Sequence, residues 1–140
     1  MPTDAEPCLV DTSAAVALVV TDHEHHAATL DALGRRELGL CGHAAFETYS
    51  VLTRLPGTQR LSPAVAQRVL SVNFPHTRYL GRDTTSTLLA TFSDLALAGG
   101  SVYDALVAAA AVEYDQVLVS RDRRAADTYR RLGVRLQLLT

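Results

Sequence analysis

Short unbroken apolar runs alternate along this chain with longer stretches whose apolar residues recur at helical spacing. The first run, Cys8 to Val10, reads as a buried strand, and Asp11 follows it directly. Thr12 and Ser13 then offer caps for a helix reaching about Val20. From His23 to Leu33, the positions Ala27, Leu30 and Leu33 space out an amphipathic helix that Gly34 stops. The stretch ELGLCG predicts a second strand, and HAAFETYSVLTRL a helix ended by Pro56-Gly57. Ser62 as N-cap with Pro63 in the first helical position starts another helix. A weak third strand is expected in TRYLG, then a helix over TTSTLLATFSDLALAGG closed by Gly99-Gly100. The most apolar helix, SVYDALVAAAAVEY, should be largely buried. QVLVS is the clearest strand, RDRRAADTYRRLG an amphipathic helix and VRLQLL a final strand.

Strands separated by helices need crossover connections, which predicts an α/β fold: one mostly parallel sheet of about five strands with helices on both faces. Residues 1–140 show no linker, repeat or low-complexity stretch, so a single domain is expected. In such sheets a site lies outside the carboxyl ends of the strands.

Composition changes this picture little. The 48% hydrophobic content and 6% aromatic content suit a compact protein rich in small aliphatic residues, not a disordered one. A formal charge of -2 does not advertise a polyanion partner, so any nucleic-acid binding must come from a local patch. All 13 basic side chains other than His are Arg. Cys8 and Cys41 both sit in apolar stretches and are expected to be buried free thiols in a reducing compartment. The start, MPTDAEP, is acidic and polar, with no signal-peptide pattern, and no apolar run is long enough to span a bilayer. A cytoplasmic protein without membrane contact is the expectation.

Most of the 15 acidic residues lie in polar stretches, but four stand in apolar company. Asp11 follows CLV, and Asp122 follows VLVSR, so both should arrive at the carboxyl edge of the sheet. Glu47 lies in AAFETYSV and Asp104 in SVYDALVAAAA, each near the start of a helix that can begin on that same edge. Each has a plainer reading. Asp11 and Asp122 can cap the helices that follow them, Asp104 can form an S-x-x-D capping box with Ser101, and Glu47 can sit on a solvated stripe. Together they point elsewhere. Crowded carboxylates repel and lose solvation, and no basic residue is embedded in the four apolar segments. A hard divalent cation is the natural partner, and oxygen-only ligands select Mg²⁺ or Mn²⁺ over Zn²⁺.

In LVDTSA, FETYSVLTRL, GGSVYDALVAAAA and LVSRDRRA the chain resembles the PIN-domain ribonucleases, specifically the VapC toxins of toxin–antitoxin pairs. The likeness runs over nearly the whole chain. It implies a metal-dependent endoribonuclease with Asp11, Glu47, Asp104 and Asp122 as catalytic and metal-holding residues and Thr12, Ser13 and Ser120 beside them. It further implies an RNA substrate, a homodimer, and a VapB-type antitoxin whose C-terminal segment enters the active-site groove. Many relatives carry another acid two residues after the last one; here that position is Arg124, which bears on a second metal.

Arg54, Arg121, Arg123 and Arg124 are candidates for RNA phosphates, and Tyr103, just before Asp104, for core packing or for stacking on a base. His23, His25 and His26 lack the partners for a zinc site, and Cys41 with His43 lacks any oxyanion feature. Two rival functions remain. A phosphohydrolase of the haloacid-dehalogenase kind would need an Asp where Ser13 stands. A non-catalytic binding module would have no reason to keep all four acids.

Overall fold

The computed structural model describes residues 6–140; residues 1–5, most of the acidic N-terminal stretch, lie outside the described residues. Four short strands, β1 (Cys8–Val10), β2 (Leu38–Leu40), β3 (Leu118–Ser120) and β4 (Leu136–Leu138), form one sheet in the order β2-β1-β3-β4. All three pairings are parallel. Every crossover is helical: α1 (Thr12–Val19) and α2 (His26–Leu33) join β1 to β2, and α7 (Ala126–Arg131) joins β3 to β4. Between β2 and β3 run α3 (Ala44–Leu52), α4 (Pro63–Asn73), α5 (Arg82–Asp94) and α6 (Ser101–Glu113). The α/β class and the parallel sheet match the expectation.

The expected third strand in TRYLG is not a strand, so the sheet has four strands, not about five. It leaves a single parallel bridge, Cys41 to Arg78. The backbone N–H groups of His76 and Arg78 do donate to the carbonyls of Leu38 and Leu40, like a parallel neighbour. The N–H of Leu40, however, donates to Thr77 Oγ1 instead of a backbone carbonyl, which interrupts the ladder. The segment presses so close to β2 that a Cβ on Gly39 would stand 2.1 Å from the carbonyl oxygen of His76.

Two helix ends differ from the sequence pattern. The glycine pair was expected to close α5, but that helix ends at Asp94. Ala96 adopts a left-handed conformation (φ 54°), and Leu97 N–H donates back to the Phe92 carbonyl, a Schellman-type closure. Leu97 then turns into the core beside Leu88, Phe92, Ala105 and Ala109. At α1 the cap is Asp11, whose carboxylate accepts the Ala14 N–H, rather than Thr12 or Ser13. The Ser62 cap with Pro63 inside α4 is as expected.

The core lies on both faces of β1 and β3. One cluster joins Val10, Leu18, Leu33, Leu40, Phe74 and Val119. The other sets Leu9 and Leu118 against the alanines of α6 and against Tyr129. A helix faced with alanine approaches a sheet closely, and here that places the start of α6 at the carboxyl edge. Gly42 (φ +56°) matters for the same reason: a Cβ there would stand 2.9 Å from that of Ala110. Among the described residues no helix is long and apolar enough to cross a membrane.

Candidate active site

The direction of connection reverses at the centre of the sheet: from β1 it runs one way to β2, and from β3 the other way to β4. The crevice beyond the carboxyl ends of β1 and β3 is therefore the topological switch point, where open parallel sheets bind ligands. Asp11 sits on its floor. Its backbone N–H donates to the Val119 carbonyl, continuing the strand pairing by one residue. The side chain is 3% exposed, and both oxygens are doubly engaged. Oδ1 accepts from Ser13 Oγ at 2.6 Å and from Ala14 N–H at 3.1 Å. Oδ2 accepts from Ser120 Oγ at 2.5 Å and from the Tyr129 hydroxyl at 2.9 Å.

The two serines are held in turn. Ser120 Oγ accepts the Asp122 N–H, and Ser13 Oγ accepts the Arg121 N–H, so the loop after β3 is pinned to the start of α1. Thr12 Oγ1 reaches Glu47 Oε1 at 3.5 Å. Glu47 and Asp104 both fall in the first turns of their helices, α3 and α6, where the helix N-terminus favours negative charge. Asp104 is not a capping residue: the cap of α6 is Gly100, and Ser101 Oγ bonds to the backbone of Ala98. Asp122 does serve the backbone, accepting the N–H groups of Arg124 and Ala125 on Oδ1. Its other oxygen takes the Arg124 guanidinium at 2.9 Å, and the same guanidinium lies 3.8 Å from Asp104.

The four acids share one electrostatic environment. Burial first, and then the charges of Asp122 and Asp11, push the Asp104 carboxyl up, against the pull of Arg124. Glu47 is likewise raised by burial and by Asp104 and Asp11, although His43 beside it pulls the other way. Burial raises Asp11 despite its four hydrogen bonds, and the Tyr129 phenol is raised by burial and by the Asp11 charge. Proximity stops short of convergence: among the described residues no three His, Cys, Asp or Glu side chains come together closely enough to hold one ion as they stand. The contacts give the reason. Asp11 is saturated by protein donors, and Arg124 stands between Asp104 and Asp122 as their cation.

A pH dependence of stability follows. A carboxyl whose pKa is raised on folding binds protons more readily in the folded chain than in the unfolded one. Stability is then full below the unfolded pKa and is lost as pH rises through the folded pKa. For the metal-free protein, urea unfolding in EDTA should show the stability difference between wild type and Asp104→Asn widening as pH rises from about 4 toward neutrality. The variant should gain relative to wild type. A difference that is flat with pH would contradict the shared environment.

Other residues fall into place less symmetrically. Arg121, Arg123 and Arg124 line a groove of about 800 Å³ with Thr12, Ser13 and Asp122. Of these, Arg121 is turned inward, donating to Thr29 Oγ1 and to the carbonyl of Thr140, whereas Arg123 and Arg124 are exposed. Arg54 is exposed in the turn after α3 and is not among the residues lining that groove. Cys8 and Cys41 are buried free thiols raised by burial, and Cys41 Sγ donates to the Val107 carbonyl, so neither is a nucleophile. His26 bonds the Ala17 carbonyl at the start of α2. The sequence reading missed Tyr129 as an Asp11 partner. A buried tyrosine on an apolar helix face must find a hydrogen-bond acceptor, and that was the available signal.

A parallel sheet of this order, with acids gathered at its switch point, defines a class that the comparisons identify. The PIN domain model matches residues 8–131, and the chain belongs to the PIN-domain family. It is 48% identical over 128 residues to Ribonuclease VapC27 of Mycobacterium tuberculosis (strain ATCC 25618 / H37Rv), covering 91% of this chain and 93% of that one. It is 42% identical over 132 residues to Ribonuclease VapC40 of M. tuberculosis (strain CDC 1551 / Oshkosh), covering 93% and 97% respectively. These likenesses place it in the VapC group of that family.

Proposed function

We propose that the chain is a metal-dependent endoribonuclease toxin, hydrolysing RNA phosphodiesters at Asp11, Glu47, Asp104 and Asp122. The observation that carries this is that the charges of Asp11 and Asp122 bear on Asp104, and those of Asp104 and Asp11 on Glu47, at the switch point of a PIN-family sheet. A fold does not hold Asp104 and Glu47 half-buried against like charge without a use for it. The names of the relatives, both ribonucleases, supply the substrate class.

The donor set is oxygen-only and over-supplied with negative charge, which suits Mg²⁺ or Mn²⁺. Asp104 and Asp122, with Asp11 beneath them and Glu47 across the crevice, are the residues that would hold the ion. Bound there, such a cation supplies charge stabilisation at the scissile phosphate and a more acidic water. Asp11 acts from a fixed position, because Ser13, Ser120 and Tyr129 lock its carboxylate. Glu47, with its raised pKa and one partner at 3.5 Å, is the acid free to take a proton from the attacking water. Arg124 occupies the place of a further acid and cancels charge instead of adding it, so a single ion is proposed. Its guanidinium, once released, together with Arg123, can meet the RNA phosphates.

Neutralisation by a VapB-type antitoxin and homodimerisation are proposed on the strength of the family. Along α5 and the turn after it, Leu88 and Phe92 are buried within the protomer and Leu95 and Leu97 partly so, which leaves Leu89, 80% exposed, as the leucine there open to a second copy. The buried thiols suit a reducing cytoplasm. The phosphohydrolase alternative loses ground, because Ser13, in place of the required Asp, is committed to Asp11 and the Arg121 N–H. The test is incubation of the purified chain with total RNA in Mg²⁺, in Mn²⁺ and in EDTA. Discrete cleavage products with either metal and none in EDTA are expected. Intact RNA in all three, with hydrolysis of small phosphate esters, would overturn the proposal.

A further inference from the structure

The residues just before Glu47 and Asp104 carry aromatic rings that the core does not use. Tyr103, immediately before Asp104 on α6, is 54% exposed, and Phe46, immediately before Glu47 on α3, is 63% exposed. Neither belongs to a core cluster. His43, the N-cap residue of α3 and four positions before Glu47, stacks on Tyr103 with ring centroids 5.4 Å apart and planes at 27°. His43 also lies 6.5 Å from Phe46, and Phe46 lies 5.9 Å from Tyr79, itself 52% exposed. The rings form one continuous row; His43 in it stands beside Glu47, and its other end, Phe46 and Tyr79, lines a hollow of about 410 Å³ with Leu40, Leu70 and Phe74. The exposure of Tyr103 removes the core-packing reading of that residue and leaves the stacking one.

We propose that this row is a base-stacking subsite, with Tyr103 backed by His43 as its first platform and Phe46 as the next, and that it selects unpaired RNA. The proposal rests on the ribonuclease reading of the neighbouring acids and deepens it. The site has an electrostatic difficulty: a chain of net charge -2, with carboxylates gathered where the substrate must lie, repels a polyanion. Arg121 is turned inward and Arg124 is tied to Asp122, which leaves Arg123 as the exposed cation of that loop to offset this. Stacking supplies affinity that needs no charge, and every base has a face to offer. A paired A-form helix keeps its bases stacked on one another and closes its deep groove to side chains, so it offers these rings nothing. Unpaired nucleotides in a loop or single strand do. The hydroxyls of the tyrosines and the His43 ring make the row amphipathic, which suits bases better than a purely apolar partner surface.

The chain has no Trp, so Tyr103→Trp introduces a sole indole reporter at the platform. Its emission is followed in EDTA while an unstructured RNA oligonucleotide is added, single-stranded or annealed to its complement. Quenching by the single strand and not by the duplex is expected. Binding measured by anisotropy should weaken about tenfold in Tyr103→Ala and stay near wild type in Tyr103→Phe. Equal quenching by the duplex, or unchanged single-strand affinity in Tyr103→Ala while the wild type still cleaves RNA, would overturn the subsite and leave the ribonuclease reading standing. A wild type that neither binds nor cleaves RNA would overturn both. Loss of self-association in Tyr103→Ala and Phe46→Ala with RNA affinity intact would assign the row to a second copy of the chain and overturn the proposal too.

Discussion

Asp104→Asn should cut RNA hydrolysis at least about a hundredfold, as expected when a positioned catalytic carboxylate is lost, without lowering the melting temperature of the metal-free protein. The side chain is 18% exposed, and its only polar contact among the described residues is the 3.8 Å approach of Arg124. Arg124 is 74% exposed, and an ion pair of that kind contributes little. Against that small loss stands the relief of repulsion from Asp122 and Asp11 and of partial desolvation. The amide keeps the shape of the side chain, so packing is unchanged. Activity assays on total RNA and thermal melts in EDTA check both halves. A large fall in melting temperature would mean that Asp104 is held for structure, and retained activity would remove it from the site.

Asp11→Ala should behave in the opposite way, losing fold and activity together. Its carboxylate receives four hydrogen bonds in a place closed to water. Truncation leaves the Tyr129 hydroxyl buried without an acceptor and Ser120 with only Ser13 Oγ at 3.4 Å, at roughly 1–3 kcal/mol each, and removes the cap of α1, worth about 1 kcal/mol. Relief of one buried charge offsets part of this, since burial already disfavours the ionised form. A net cost of about 3 kcal/mol and a fall in melting temperature of roughly 10 °C are expected by thermal unfolding in EDTA. A melt within a degree or two of wild type would show that the buried network carries no stability. The two substitutions thus separate acids of one site by what each does for the fold.

Much of this was legible because local chemistry and fold agree. Cys8–Val10 followed by Asp11, and Leu118–Ser120 followed by Asp122, announce strand ends, and parallel pairing brings them to one edge. The Ala run of α6 announces a helix that must be buried. What the pattern hid depends on approach between distant segments. Tyr129 meets Asp11 across 118 positions, and only the position of α7 over the sheet joins them. Arg121 reads as a surface cation until Thr29 and the Thr140 carbonyl are seen around it. The lost strand at residues 77–81 turns on one Thr77 hydroxyl taking a ladder donor, and the early end of α5 on the burial of Leu97. Neither leaves a periodic trace. Gly99-Gly100 resembled a stop signal because glycines commonly follow helices, yet packing closed the helix five residues earlier at Asp94.

On the proposed function, the four separated acids become one cation site when the cation arrives. Thermal melts of the wild-type chain in EDTA and across a range of Mg²⁺ or Mn²⁺ concentrations test it most directly. An ion that binds only the folded arrangement stabilises it by mass action, about 2.7 kcal/mol at a hundredfold excess over its dissociation constant. The melting temperature should climb by several degrees with metal in the wild type and by much less in Asp104→Asn. A wild type that melts at one temperature in EDTA and throughout the metal series would contradict it.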